Sequence, residues 1–134
     1  MKTILGCLIV FFTHTAYSQT YAETIDFNKL SLQFEHASAD LKPDYFALVY
    51  RLADTLKRNP NLHLTIRGHV CCVNKNGLAK KRAKVVKNFL ILFGVDKKQM
   101  TTLGMKNTMP VVFPEKTRED ELANMRVDFV LKEH

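Results

Sequence analysis

A chain of 134 residues, 46% hydrophobic and 25% charged, can bury one core and is too short for two ordinary domains. Its formal charge of +7 admits anionic partners such as nucleic acid, envelope polymer or a lipid surface. The aromatic residues fall at core spacing instead of interleaving with basic ones, which argues against nucleic acid. No nucleophile elbow, phosphate loop or repeated metal-ligand spacing occurs, so no enzymatic activity and no cofactor are expected.

Lys2, the apolar run from Ile4 to Phe12 and the small-x-small segment Ala16-Tyr17-Ser18 before Gln19 predict an export signal over residues 1–18. The run is shorter than the ~20 residues of a spanning helix, which disfavours an uncleaved anchor. Ile4-Leu5-Gly6-Cys7 has the outline of a lipobox, but a lipidated Cys7 would have almost no hydrophobic segment in front of it. Cleavage after Ser18 leaves 116 of the 134 residues and, losing only Lys2, a charge of +6. No later segment reads as membrane-spanning, and no repeat or low-complexity linker divides the chain.

Residues 19–29 read as an irregular lead-in to a single domain over 30–134. Leu30, Leu32 and Phe34 alternate with Ser31, Gln33 and Glu35 as a first strand. Asp40-Leu41-Lys42-Pro43 opens a helix with proline in its first turn, where the missing N–H costs little. Phe46, Val49, Tyr50, Ala53 and Leu56 form its expected buried stripe, and Asn59-Pro60 stops it. Leu62, Leu64 and Ile66 then alternate with His63, Thr65 and Arg67, the period of a half-buried strand. From Leu78 to Phe93 a second helix has Leu78, Val85, Val86, Phe89, Leu90 and Phe93 on one side, and Lys80, Lys81, Lys84 and Lys87 on the other. Gly94 suits the left-handed position past its end, with Val95 packing back.

Met100 to Met105 predict a third strand, followed by a longer loop holding Lys106, Asn107, Pro110 and Pro114. Thr117 to Ala123 fit one helical turn. Met125, Val127, Phe129 and Leu131 alternate in a last strand, facing away from Arg126 and Asp128. The order is β-α-β-α-β-β, a two-layer α/β sandwich with both helices on one face of a mixed four-stranded sheet. Val49, Ala53, Val85 and Phe89 are expected to meet Leu64, Ile66, Val127 and Phe129 across the layers.

Arg82 breaks the sorting of the second helix, since it lies within the apolar stripe, where a charge needs a carboxylate or a path to water. It can grip a carboxylate near the first turn of its helix, or extend its head to water over the sheet edge. Arg126 can reach a ligand groove or pair across strands with a carboxylate, the simpler account. Cys71 and Cys72 are the cysteines left after cleavage. Adjacent cysteines bridge only through a strained ring, so they read as two thiols or as a bridge between molecules. With His69 they form His-x-Cys-Cys, a soft-metal reading that matches no standard zinc frame and lacks a visible fourth ligand. Glu119, Asp120 and Glu121 are consecutive and read as solvent-facing first-turn acids, not as a catalytic cluster.

Gly68-His69 closing a strand, Leu78-Ala79-Lys80-Lys81-Arg82-Ala83 opening a helix, Gly94-Val95 ending it and Asn124-Met125-Arg126-Val127 near the C-terminus carry a resemblance. From about Leu30 to Leu131 the chain resembles the C-terminal domain of the OmpA-like envelope proteins, which reads G-H-T-D, L-S-x-x-R-A, G-V and N-R-R-V at those places. Here Cys71 stands for the family aspartate, Ala79 for the serine and Met125 for the first arginine, and the turn before the second helix is several residues shorter. The resemblance implies non-covalent binding of peptidoglycan, with the aspartate and Arg82 positions engaging the charged end of the diaminopimelate side chain. It also implies a strand-end His69 hydrogen-bonded to backbone.

Cys71, Arg82 and Arg126 are therefore the expected ligand-binding residues, with no metal site. Three functions stay open. One is an exported, periplasmic or outer-membrane-associated module that binds peptidoglycan stem peptide, weakened by loss of the aspartate. Another is a structural or protein-interaction envelope module, and a third a thiol or soft-metal site at His69, Cys71 and Cys72.

Overall fold

The computed structural model describes residues 25–35, 37–71 and 77–134, so the expected export signal and Cys72 lie outside the described residues. Four strands form one sheet: β1 (Ser31–Gln33), β2 (Leu62–His69), β3 (Met100–Lys106) and β4 (Arg126–Glu133). Their spatial order is β1-β4-β2-β3. β4 runs antiparallel to both β1 and β2, and β3 lies parallel to β2, so the sheet is mixed. α1 (Phe46–Arg58), α2 (Leu78–Leu92) and the short α3 (Arg118–Asn124) complete the fold. Among the described residues no helix is long and apolar enough to cross a membrane.

The core lies between one sheet face and the helices α1 and α2. Leu64, Ile66, Val127 and Phe129 supply the sheet side, each at most 1% exposed. On the helix side the stripes are rotated from those expected. α1 buries Val49, Leu52, Ala53 and Leu56, whereas Phe46 and Tyr50 are 40% and 55% exposed. α2 buries Ala79, Arg82, Ala83, Val86 and Leu90, while Val85, Phe89 and Phe93 are only partly buried. The cause is the seam between the two helices. Phe46 packs on Phe89 at 5.2 Å and Tyr50 on Phe93 at 5.3 Å between ring centroids, so these aromatics join helix to helix and leave the sheet to smaller side chains. Lys87 also departs from the solvated side expected of it, its Nζ donating to the Met100 carbonyl at 3.2 Å.

Two glycines set how closely α2 lies on the sheet. Gly68 and Gly104 face each other in the β2–β3 register. A Cβ on Gly68 would stand 1.8 Å from the Ala79 carbonyl oxygen, and one on Gly104 would stand 3.1 Å from Lys80 Cβ. The helix backbone thus rests on strand backbone. Gly94 has φ +96°, as its place past the helix end requires.

Of the expected lead-in over residues 19–29, residues 25–29 are described, and they include ordered structure. A 3₁₀ turn at Phe27–Lys29 is capped by Asp26, and Phe27 enters the core at 6% exposure. Asn28 Oδ1 accepts a hydrogen bond from the Leu131 amide at 2.8 Å, tying the turn to β4. Thr117 caps α3 with a capping box closed by Asp120, so the acids at 119–121 sit in its first turn.

Gly68→Ala should destabilise the fold by about 3 kcal/mol, the upper range for overpacking, because the Ala79 backbone of α2 cannot rotate away as a side chain would. Chemical denaturation of the variant beside wild type measures it, with Gly94→Ala expected to cost about 1 kcal/mol.

Candidate functional site

At the end of β2 the chain reaches the first turn of α2, and a polar cluster forms on each side of the sheet. On the helix side stands Arg82, placed one turn beyond Ala79 and 1% exposed. It does not extend to water over the sheet edge, and no carboxylate meets it among the described ion pairs. Instead its Nε donates to the Ser38 carbonyl at 2.8 Å and its Nη2, more weakly, to the Glu35 carbonyl at 3.4 Å. The guanidinium lies 5.3 Å from the centre of the Phe34 ring. The loop between β1 and α1 therefore holds it from one side.

This cradle leaves donors over. A guanidinium carries five N–H groups, and Nη1 is buried with no hydrogen-bond partner among the described residues. Burial pulls the Arg82 cation below its ordinary pKa, and a negative charge on Cys71 acts in the opposite sense. Cys71 is half-buried and carries a free thiol. Gly77, with φ +85°, caps α2 without a side-chain hydrogen bond to its first amides.

The cluster on the opposite sheet face centres on Asp128. Arg67, its direct cross-strand neighbour, donates from Nε to Oδ1 at 2.7 Å. Arg126, two residues away on the same strand, donates from Nη2 to Oδ2 at 3.2 Å and to the Met109 carbonyl at 3.2 Å. His69 Nε2 stands 3.1 Å from Oδ2, an ion-pair distance whose angle falls outside a hydrogen bond. Burial by itself would raise the Asp128 pKa, but contact with His69 and Arg67 outweighs it and holds the carboxyl below its ordinary value.

Arg126 is thus paired with a carboxylate, along its own strand and not across strands. Its side chain and Arg82 approach opposite faces of the sheet, since Val127 between Arg126 and Asp128 enters the core. His69 faces Asp128 where a backbone partner was expected, and it is turned away from the Arg82 side. Among the described residues no three His, Cys, Asp or Glu side chains gather as metal ligands.

Two residues absent from the sequence-based site hold its surroundings. Asp128 was marked in the sequence only by sharing a face of the last strand with Arg126, two residues away. Asn124, 1% exposed, accepts from the Val111 and Val112 amides at 2.6 and 3.1 Å and donates to the Val112 carbonyl at 2.9 Å. It pins the loop after β3, a task that its place in the Asn124-Met125-Arg126-Val127 motif did not reveal.

Fold and recessed arginine together define a small α/β sandwich with one candidate anion-gripping side chain. The model of the OmpA family matches residues 33–125, and the chain belongs to that family. It is 30% identical over 104 residues to the peptidoglycan-binding protein ArfA of Mycobacterium tuberculosis, covering 75% of this chain and 32% of that protein. Outer membrane porin F of Pseudomonas aeruginosa is 27% identical over 105 residues, covering 75% of this chain and 30% of that protein. The chain thus spans about a third of the length of these relatives. Among solved structures, the peptidoglycan-associated lipoprotein from Burkholderia pseudomallei superposes with a TM-score of 0.70 at 28% identity, covering 78% of this chain and 91% of that one. The C-terminal domain of Helicobacter pylori MotB also gives 0.70, at 25% identity, covering 78% of this chain and 85% of that one.

Asp128 yields a pH-dependent stability. A folded-state carboxyl titrating below its unfolded value stabilises the fold in full above the unfolded pKa of about 4, and this contribution is lost as pH falls through the folded value. Asp128→Asn leaves Arg67 and Arg126 unpaired and should cost about 3 kcal/mol at neutral pH. Urea titrations across pH should show the gap from wild type narrowing below about pH 4.

Proposed function

We propose that this protein is an exported, non-catalytic envelope module that binds peptidoglycan stem peptide, with Arg82 gripping a carboxylate of the diamino acid. The observation that carries this reading is the buried guanidinium in the first turns of α2, with Nη1 unpartnered among the described residues. Membership of the OmpA family supports it, as does the likeness to ArfA, a peptidoglycan-binding protein. The Ser38 and Glu35 carbonyls and the Phe34 ring fix the guanidinium plane, which lowers the ordering cost of holding a ligand. A planar fork of this kind suits a carboxylate better than a lysine would. Arg126, committed to Asp128 and Met109, is assigned a supporting place and no ligand contact.

Half of the chemistry is weakened. The charged end of a diaminopimelate side chain offers an ammonium beside its carboxylate, and Cys71 stands where a carboxylate would meet that ammonium. A charge-assisted hydrogen bond contributes roughly 1.5 to 3 kcal/mol, and about 1.4 kcal/mol is tenfold in affinity. Binding is therefore weak.

A second reading, a protein-interaction module, draws on the exposed Met109, Val111 and Phe113 of the loop after β3, of which Phe113 is 85% exposed. Calorimetric titration with muropeptides separates the two. Wild type should bind weakly, Cys71→Asp about tenfold or more tightly, and Arg82→Ala not at all, with circular dichroism checking that each variant is folded. Arg82→Lys, which keeps the charge but loses the fork, should also bind poorly. No binding by wild type at millimolar ligand, with Arg82→Ala indistinguishable from it, overturns the wall-binding reading in favour of the second.

A further inference from the structure

The seam between α1 and α2 leaves an apolar surface on the outside of the helix layer. Phe46, Phe89, Phe93 and Tyr50 form a run of rings, with successive centroids 5.2, 6.4 and 5.3 Å apart. Leu92, one turn beyond Phe89, is 76% exposed, and Ile91 next to it 42%. Single exposed aliphatic residues are ordinary, but a patch of neighbouring aromatic and aliphatic side chains marks a contact surface.

The charge around this patch has one sign. α2 carries no acidic residue, and Lys80, Lys81 and Lys84 are exposed on it. Eleven residues make three turns of helix, so Lys81 looks to the same side as Leu92, about 16 Å away along the axis. Lys84 stands in the same relation to Ile91, two turns away. Past the helix end Lys97 and Lys98 are exposed, and Lys57 of α1 reaches Gly94 and lies 6.0 Å from the centre of the Tyr50 ring. The acids on these segments are engaged: Asp54 pairs with Arg58 at 3.1 Å, and Asp96 caps the turn Lys97–Gln99.

We propose that this face is a peripheral docking surface for an anionic lipid bilayer, with Ile91, Leu92 and the exposed edge of the aromatic run entering the interface and the lysines meeting lipid phosphates. Lysines and apolar residues sharing one side of a helix are what an interfacial contact requires. Charge selects the occupant. A second copy of the chain would bring its own lysines against these, and like charges oppose that pairing. Shape points the same way, since Ile91 and Leu92 line neither the cleft beside Ile25–Asn28 nor the one beside Gly94. Two protruding side chains enter a deformable surface without needing a matching recess. The proposal is independent of the Arg82 reading, because Arg82 lies on the buried side of the same helix.

The test uses the protein recovered after export, its first residue established by mass spectrometry, in co-sedimentation with two kinds of vesicle. One is phosphatidylcholine alone and the other phosphatidylcholine mixed with phosphatidylglycerol. Wild type should partition onto the mixed vesicles, not onto the neutral ones, and should be released by high salt. Lys81→Gln should weaken partitioning about fivefold, the effect of one lysine at such a surface. Lys132→Gln removes the same charge from an exposed position on the opposite face of the sheet and should leave partitioning unchanged. Leu92→Ser should weaken it about tenfold or more, with circular dichroism confirming the fold.

Equal binding to neutral and mixed vesicles overturns the proposal, as do equal losses in Lys81→Gln and Lys132→Gln or full binding by Leu92→Ser. It falls too if wild type binds neither vesicle. Sedimentation equilibrium then assigns the face to a second copy when it shows a dimer that Leu92→Ser dissociates, and a monomer leaves an acidic protein as the partner. Muropeptide titration reads Arg82 separately, so none of these results decides the wall-binding reading.

Discussion

The close seating of α2 on the sheet is the constraint from which the rest of the site follows. Because Gly68 has no side chain, the Ala79 carbonyl can occupy the space a Cβ would need. Gly104, its registered partner on β3, clears the way for Lys80 in the same manner. The first turn of α2 is thereby lowered onto the strand ends, and Arg82, on the buried side of that helix, is carried below the surface. A helix seated farther out would leave the same arginine in water, where its head would be screened and poorly positioned.

Burying a guanidinium is costly unless its donors are met. Two backbone carbonyls and an aromatic face meet part of the need, and Nη1 remains. The contrast with the other face of the sheet is instructive. There Arg67 and Arg126 share the Asp128 carboxylate, and His69 crowds the same oxygens. One face meets its cations with a protein carboxylate, whereas the other meets its cation in part with neutral dipoles and, among the described residues, with no carboxylate.

The strand and helix order was legible because the segments carry clear periods and matching stops at Asn59-Pro60 and at Gly94 past α2, whereas Pro43 opens a 3₁₀ turn, Pro43–Tyr45, that leads into α1 and does not lie in its first turn. Arg82 stood out for the same reason, as a charge in an apolar stripe. What the pattern could not resolve was the division of each apolar stripe between the sheet and the neighbouring helix. A broad run such as Val85, Val86, Phe89 and Leu90 satisfies either, and only the aromatic contacts of Phe46 and Tyr50 in three dimensions decide it. The partners of Arg82 were illegible because backbone carbonyls leave no mark in the letters. Asp128 shares a strand face with Arg126, but its cross-strand partner Arg67 lies on β2, and Asn124 is held by a loop whose path its motif letter does not reveal, so neither role could be read from local spacing.

The break in register between β2 and β3 has a bearing on how the molecule behaves in a crowd. β3 is an outer strand of the sheet, and an outer strand is a template on which other chains can add. Its pairing runs regularly to Gly104, then skips a residue so that His69 meets Lys106, which itself adopts φ +55°. The extra residue bends the strand away from a straight ladder, and a lysine ends it. At the other border β1 spans only Ser31–Gln33. Neither border therefore offers a long flat row of amides and carbonyls, and the sheet is guarded against growing edge to edge from one molecule to the next.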